Sequence, residues 1–265
     1  MNRIYYILLL CVVAFSSCNF KIKPMEDDTA NGVEVKRYDR LQARYLTTGD
    51  FSALQQMNTN YPMETRTLVE DVLQLGEVND PEINTTFLNF YQDTLLQTII
   101  VDVESQYADM DDINQELSKA FDNLEKLLPN TEVPLIYSQI GALDQSIVIG
   151  DKAIGICLDK YLGANYPAYK RFYSQQQRSS MQRSYIVPDC LNFYLVSLYP
   201  MDNYDSRPQR EKDLHMGKIM WTVNTVIGKE FFKSRFIASV KHYMHTHPGV
   251  TVKELLESDD YRQFD

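Results

Sequence analysis

Chemistry in a protein needs nucleophiles, ionisable groups or metal ligands at set spacings, and this chain of 265 residues offers few. It has no HExxH pair for zinc, no GxSxG elbow, no phosphate-cradling glycine loop and no CxxC. Two carboxylates stand out because apolar residues surround them. Asp159 closes the run Ile154–Leu158, and Asp189 follows Ile186-Val187-Pro188. A pair of such groups with separated ionisation could do acid–base work. Apolar company more commonly means a carboxylate held by an arginine or by backbone donors, and Arg171, Arg178 and Arg183 are the candidate partners. His242, His245 and His247 could chelate a metal, but histidines at a helix C-terminus also suit the dipole and the last carbonyls. No glutamate accompanies them in a zinc pattern, so neither metal nor cofactor is expected. His215 follows Asp213 in a polar helix and reads as a surface residue. Asp109, Asp111 and Asp112 lack the glycine and bidentate glutamate of a calcium loop and read as helix-capping groups.

The residue with the most specific chemistry is Cys18. Arg3, the apolar run Ile4–Phe15 and the small residues Ser16-Ser17 precede it, as in a signal peptide whose cysteine is acylated before cleavage. The apolar run is too short to span a bilayer as a lasting helix. Residues 1–17 are therefore expected to be a lipoprotein signal and Cys18 the lipidated (palmitate-bearing) N-terminus. Residues 18–36, polar and poor in large apolar side chains, are expected to be a flexible tether. Removal of Cys11 and acylation of Cys18 leave Cys157 and Cys190, which are expected to be buried free thiols.

The elements that must position these groups follow from periodicity. Residues 37–130 read as helices: Thr47, Thr48 and Asp50 offer caps for one, Pro62 opens another, and Asn79-Asp80-Pro81 starts a third. Asp111 to Leu128 is the clearest, with Ile113, Leu117, Ala120, Phe121 and Leu124 recurring at three and four. Three β-branched runs follow, at residues 133–140, 146–149 and 153–158, with Gly141 and Gly150-Asp151 as turns. Helices return after Gly163: the spacing predicts one over 181–199, which Pro188 kinks or starts, and others over 210–227, 231–245 and 252–256. The expected fold is α+β, a single domain over 37–265 with a helix-rich first half and a small sheet packed against C-terminal helices. A net charge of −10 gives no footprint for nucleic acid.

The stretch Ile154-Gly155-Ile156-Cys157-Leu158-Asp159-Lys160-Tyr161-Leu162-Gly163, then Asn165-Tyr166-Pro167, Arg183 and Ile186-Val187-Pro188-Asp189, resembles the gliding-motility lipoprotein GldB family of Bacteroidetes. Gly217-Lys218-Ile219, Tyr243-Met244 and Glu254-Leu255-Leu256 extend the likeness. The region between Lys218 and Tyr243 looks shorter than in that family. The resemblance implies a lipid-anchored envelope protein, placed in the outer membrane and linked to motility or secretion. It also implies a distant similarity to zinc peptidases of zincin type. Where those carry HExxH, this chain reads Pro188-Asp189-Cys190-Leu191-Asn192, which cannot hold zinc. The expected role is a non-catalytic binding or assembly component with an envelope protein or peptide partner. The alternative is an envelope hydrolase built on Asp159, Asp189 and a histidine.

Overall fold

The structure is a computed structural model that describes residues 32–264. The signal sequence and Cys18, with most of the expected tether, lie outside the described residues. The described body includes residues that composition assigns to the tether. Val33 and Val35 donate their amides to Ser118 and Asn114, and Lys36 forms a parallel bridge with Tyr137. The cause is alternation: Val35 is buried while its neighbours Glu34 and Lys36 point to water.

Helix α1 (Tyr38–Thr48) starts where Arg37 grips Asp39, a fully buried carboxylate that also accepts from Ser138 Oγ. It stops at Gly49, whose φ of 69° is the left-handed conformation a helix end requires. Asp50 caps α2 (Phe51–Asn60) through Ser52 N, and Pro62 opens α3 (Pro62–Arg66), which continues as a π-helical stretch over Thr67–Val72. α4 (Ile83–Phe90), α5 (Thr94–Gln106, capped by Asp93) and α6 (Asp111–Leu127) complete the first half. The buried stripe of α6 is Ile113, Leu117, Ala120, Phe121 and Leu124, the stripe that the spacing predicts. Removing a leucine such as Leu117 from water contributes roughly 2–3 kcal/mol.

The sheet has strands β1 (Leu135–Gln139), β2 (Ile147–Gly150) and β3 (Ala153–Cys157) in the order β1-β3-β2. β3 is central, parallel to β1 and antiparallel to β2. Gly155 admits the Tyr137 ring from the neighbouring strand, since a Cβ there would lie 2.7 Å from its Cζ.

A 3₁₀ turn, Leu158–Lys160, leads from the sheet to two short helices, α7 (Tyr169–Phe172) and α8 (Gln175–Arg178). α9 spans Ile186–Leu198, shorter than the predicted 181–199, and Arg183–Tyr185 before it is 3₁₀. Pro188 therefore marks a helix start and not a kink, because it occupies the first turn, where a missing N–H costs nothing. α10 (Gln209–Ile227), α11 (Arg235–Thr246) and α12 (Val252–Glu257) follow. α11 begins later than the predicted 231 because Asn224 ties down Phe232 through two hydrogen bonds and Ser234 caps the helix. Gly217 lets α11 cross α10 closely; a Cβ there would meet the Phe236 backbone at 3.1 Å. The architecture is α+β, helix-rich around a three-stranded sheet. No described helix is long and apolar enough to cross a membrane.

Candidate functional site

Of the predicted site residues, Asp159 lies at the carboxyl ends of β1 and β3, where the backbone is most tightly specified. Ile140 follows β1, and its amide and carbonyl pair with the side-chain amide of Gln42 at 2.9 and 2.7 Å. Tyr91 adds a second donor to the same carbonyl at 2.6 Å. Beyond it, Ala142 and Leu143 both hold positive φ, 54° and 66°, in the left-handed region. Two consecutive non-glycine residues there cost about 1–3 kcal/mol each unless their surroundings fix them.

Asp159 is what fixes them. It is wholly buried, and its two carboxylate oxygens accept the Gly141 amide at 2.8 Å and the Leu143 amide at 2.5 Å. Burial pushes this carboxyl above its ordinary range while the two amide donors pull it back. Lys160 Nζ donates to the carbonyls of Leu143 and Asp144 and to Tyr173 OH, and lies 4.3 Å from the Tyr173 ring centre. Tyr173 OH donates to Leu143 O, and Tyr169 OH to Asp159 O. Gly141 has no room for a side chain, because a Cβ would sit 2.8 Å from Cys157 Sγ. Each polar group of Asp159 is thus spent on holding a loop, with none directed at solvent.

Asp189 is different. It stands in the first turn of α9 and accepts one hydrogen bond, from Tyr161 OH at 2.8 Å. Burial raises its pKa to about 7, and the Tyr161 bond works against that rise. Tyr161 is itself buried, and its carbonyl accepts from Tyr107 OH at 2.7 Å. Asp159 and Asp189 share no hydrogen-bond partner: the first is held by the Gly141 and Leu143 amides, the second by the Tyr161 phenol.

The expected arginine partners hold neither carboxylate. Arg183 makes a two-pronged bond to Asp112, at 2.6 and 2.9 Å, and lies over the Tyr107 ring. Arg178 donates to Ala164 O, and Arg171 packs on Phe172. Backbone amides and a phenol serve instead, because these carboxyls lie where a strand end and a helix start bring unpaired groups together. Asp109 accepts from Asp111 N just ahead of α6, and Asp111 and Asp112 stand in its first turn, but the cap position is Met110, so the acidic cluster flanks the helix start without a side-chain cap bond.

His242 and His245 are exposed on α11, and His247 stacks on Tyr243 at 4.3 Å between ring centres. Among the described residues no three His, Cys, Asp or Glu side chains are grouped as metal ligands. His215 is not a surface residue: it is buried, with Nδ1 3.2 Å from Tyr261 OH, because the C-terminal turn folds over α10. Beside it Lys218 is fully buried, bonded to the carbonyls of Ser258 and Leu256. Desolvation lowers its pKa to about 8. The sequence carried one sign of this lysine, its place four residues after Leu214 on an apolar stripe. Cys157 and Cys190 are buried free thiols, and burial pushes both far above the ordinary thiol range.

The family model of gliding motility protein GldB matches residues 19–232, which is most of the chain and includes Asp159, Asp189 and the groups that hold them. No curated protein and no solved structure matches the chain.

Proposed function

The chain belongs to the gliding motility protein GldB family, and from that premise we propose a non-catalytic envelope lipoprotein that supports gliding motility or a linked secretion step. It is anchored in the outer membrane by acyl chains on Cys18, each buried methylene contributing about 0.8 kcal/mol. Residues 1–17 are removed as the signal, and the segment between Cys18 and Val33 spaces the domain from the lipid. The body from Val33 onward acts as one domain that docks a protein or peptide partner.

The observation that carries this reading is the use of Asp159. The most conspicuous ionisable group at the strand ends is sealed from water and bonded to two backbone amides. A general acid or nucleophile must reach a substrate, whereas a loop staple must not. Asp189 has an ionisation suited to acid–base work, but its single partner is a buried phenol and not a nucleophile.

The relation to zincin-type peptidases, if pursued to the site, gives a scaffold without its metal. Pro188 brings no donor and Asn192 only an amide, at the places where the zinc-binding helix carries histidines. These residues do not fit zinc, and no step of the function is routed through it.

The test is complementation of a deletion strain. Asp189→Asn should spread on a surface as the wild type does, and Cys18→Ala should leave the envelope fraction and fail to spread. A lipidated, folded Asp189→Asn chain that fails to spread would overturn the non-catalytic reading.

A further inference from the structure

We propose that the groove between the C-terminal end of α10 and the start of α11 docks an acidic peptide segment of the envelope partner. The proposal rests on the docking role given above and names its site and the chemistry of its occupant.

The groove holds about 410 Å³. Trp221, Phe232 and Ile237 give it an apolar floor, and Lys229, Lys233 and Lys241 stand around it. Its one carboxylate, Glu230, is taken by Lys241 at 2.6 Å. Lys229 and Lys233 are exposed and carry no ion pair with a carboxylate among the described residues. Three lysines against one glutamate leave a surplus of two positive charges at the rim, on a chain whose net charge is −10. An acidic segment is repelled by most of this surface and attracted here, so the field both steers and orients it.

Shape narrows the occupant. A second hollow of about 110 Å³ shares Lys229 and is floored by Val187, Pro188 and Phe231. Both are lined by the end of α10 and the turn after it, one by Ile227 and Phe231 and the other by Gly228, Glu230 and Phe232, so an extended segment can lay one side chain in each while its acidic residues meet the lysines. A bilayer surface cannot enter such hollows, which favours a peptide over anionic headgroups. Trp221 is the only tryptophan in the chain, so its emission reports occupancy of this groove directly.

The probe is a random octapeptide library displayed on phage, panned against the full lipoprotein in detergent. Selected peptides are then titrated against Trp221 emission. Enrichment should place Asp or Glu beside aromatic or aliphatic residues, and binding should weaken as salt rises. The double variant Lys229→Glu/Lys233→Glu, both on exposed positions, should weaken a selected peptide by roughly tenfold or more. The same peptide with Gln and Asn for its acidic residues should fail to shift the emission. Peptides without acidic enrichment, or binding that the double variant leaves intact, would overturn the proposal. A response to phosphatidylglycerol vesicles with none to any peptide would overturn it too, in favour of a lipid surface. Loss of the peptide site with Cys18 lipidation and surface spreading unchanged would sink this inference alone and leave the docking role standing elsewhere.

Discussion

Replacing Asp189 with asparagine should stabilise the protein at neutral pH and do nothing for it in acid. The folded chain holds this carboxyl at about 7, against an ordinary 3.8. Below the lower value both the folded and unfolded states carry the proton. Between the two values the unfolded chain ionises while the folded one does not, so the unfolded state binds fewer protons and stability falls as pH rises. The separation corresponds to a penalty on the order of 4 kcal/mol at pH 7 and above, reduced by whatever the structure yields to admit water. Asparagine keeps the acceptor for Tyr161 OH, a bond of 2.8 Å, and has no charge to desolvate. Urea unfolding of the two proteins from pH 4 to pH 8 gives the difference directly. The gap should open between pH 4 and 7 in favour of the variant and stay level above. A difference that is constant across this range, or that favours the wild type more strongly as pH rises, would refute the reasoning.

Asp159→Asn should destabilise by about 2–3 kcal/mol, because an amide nitrogen would face one of two backbone N–H donors that now have an oxygen acceptor; chemical denaturation measures it. Gly155→Ala should cost roughly 1–3 kcal/mol, since its methyl would press on the Tyr137 ring; a lowered thermal midpoint with unchanged far-ultraviolet dichroism is the expected record. Lys218 has its pKa lowered to about 8 from 10.5. The folded chain sheds that proton before the unfolded one, so stability relative to Lys218→Met should climb from pH 8 to pH 10, and a flat difference would count against the burial. Cys157 and Cys190 should resist maleimide in the native protein and react once urea unfolds it, because both thiols are buried.

Periodicity carried the helices and strands well where one face is apolar. The α6 stripe and the three short strands fall where spacing places them. Boundaries went astray where side chains outside the periodic run decide them. Arg183–Tyr185 is 3₁₀ ahead of α9, and the Asn224 grip on Phe232 delays α11. Asp159 and Asp189 were legible as unusual, because a charge beside an apolar run must be satisfied somehow. Their partners were not legible. Backbone amides displayed by a left-handed pair, Ala142 and Leu143, leave no mark in residue type, and Tyr161 is one tyrosine among 18. His215 misled because its sequence neighbours are polar, while the Tyr261 that covers it lies 46 residues away.

The function proposed for this chain is action through its anchor and its surfaces and not through catalysis. Its most direct test is surface spreading of a deletion strain carrying wild type, Asp189→Asn or Cys18→Ala, with alkyne-palmitate labelling read from the same cells. Asp189→Asn should be labelled and restore spreading fully, while Cys18→Ala should be unlabelled and restore none. A labelled Asp189→Asn chain that cannot restore spreading, or an unlabelled Cys18→Ala chain that can, would contradict the account.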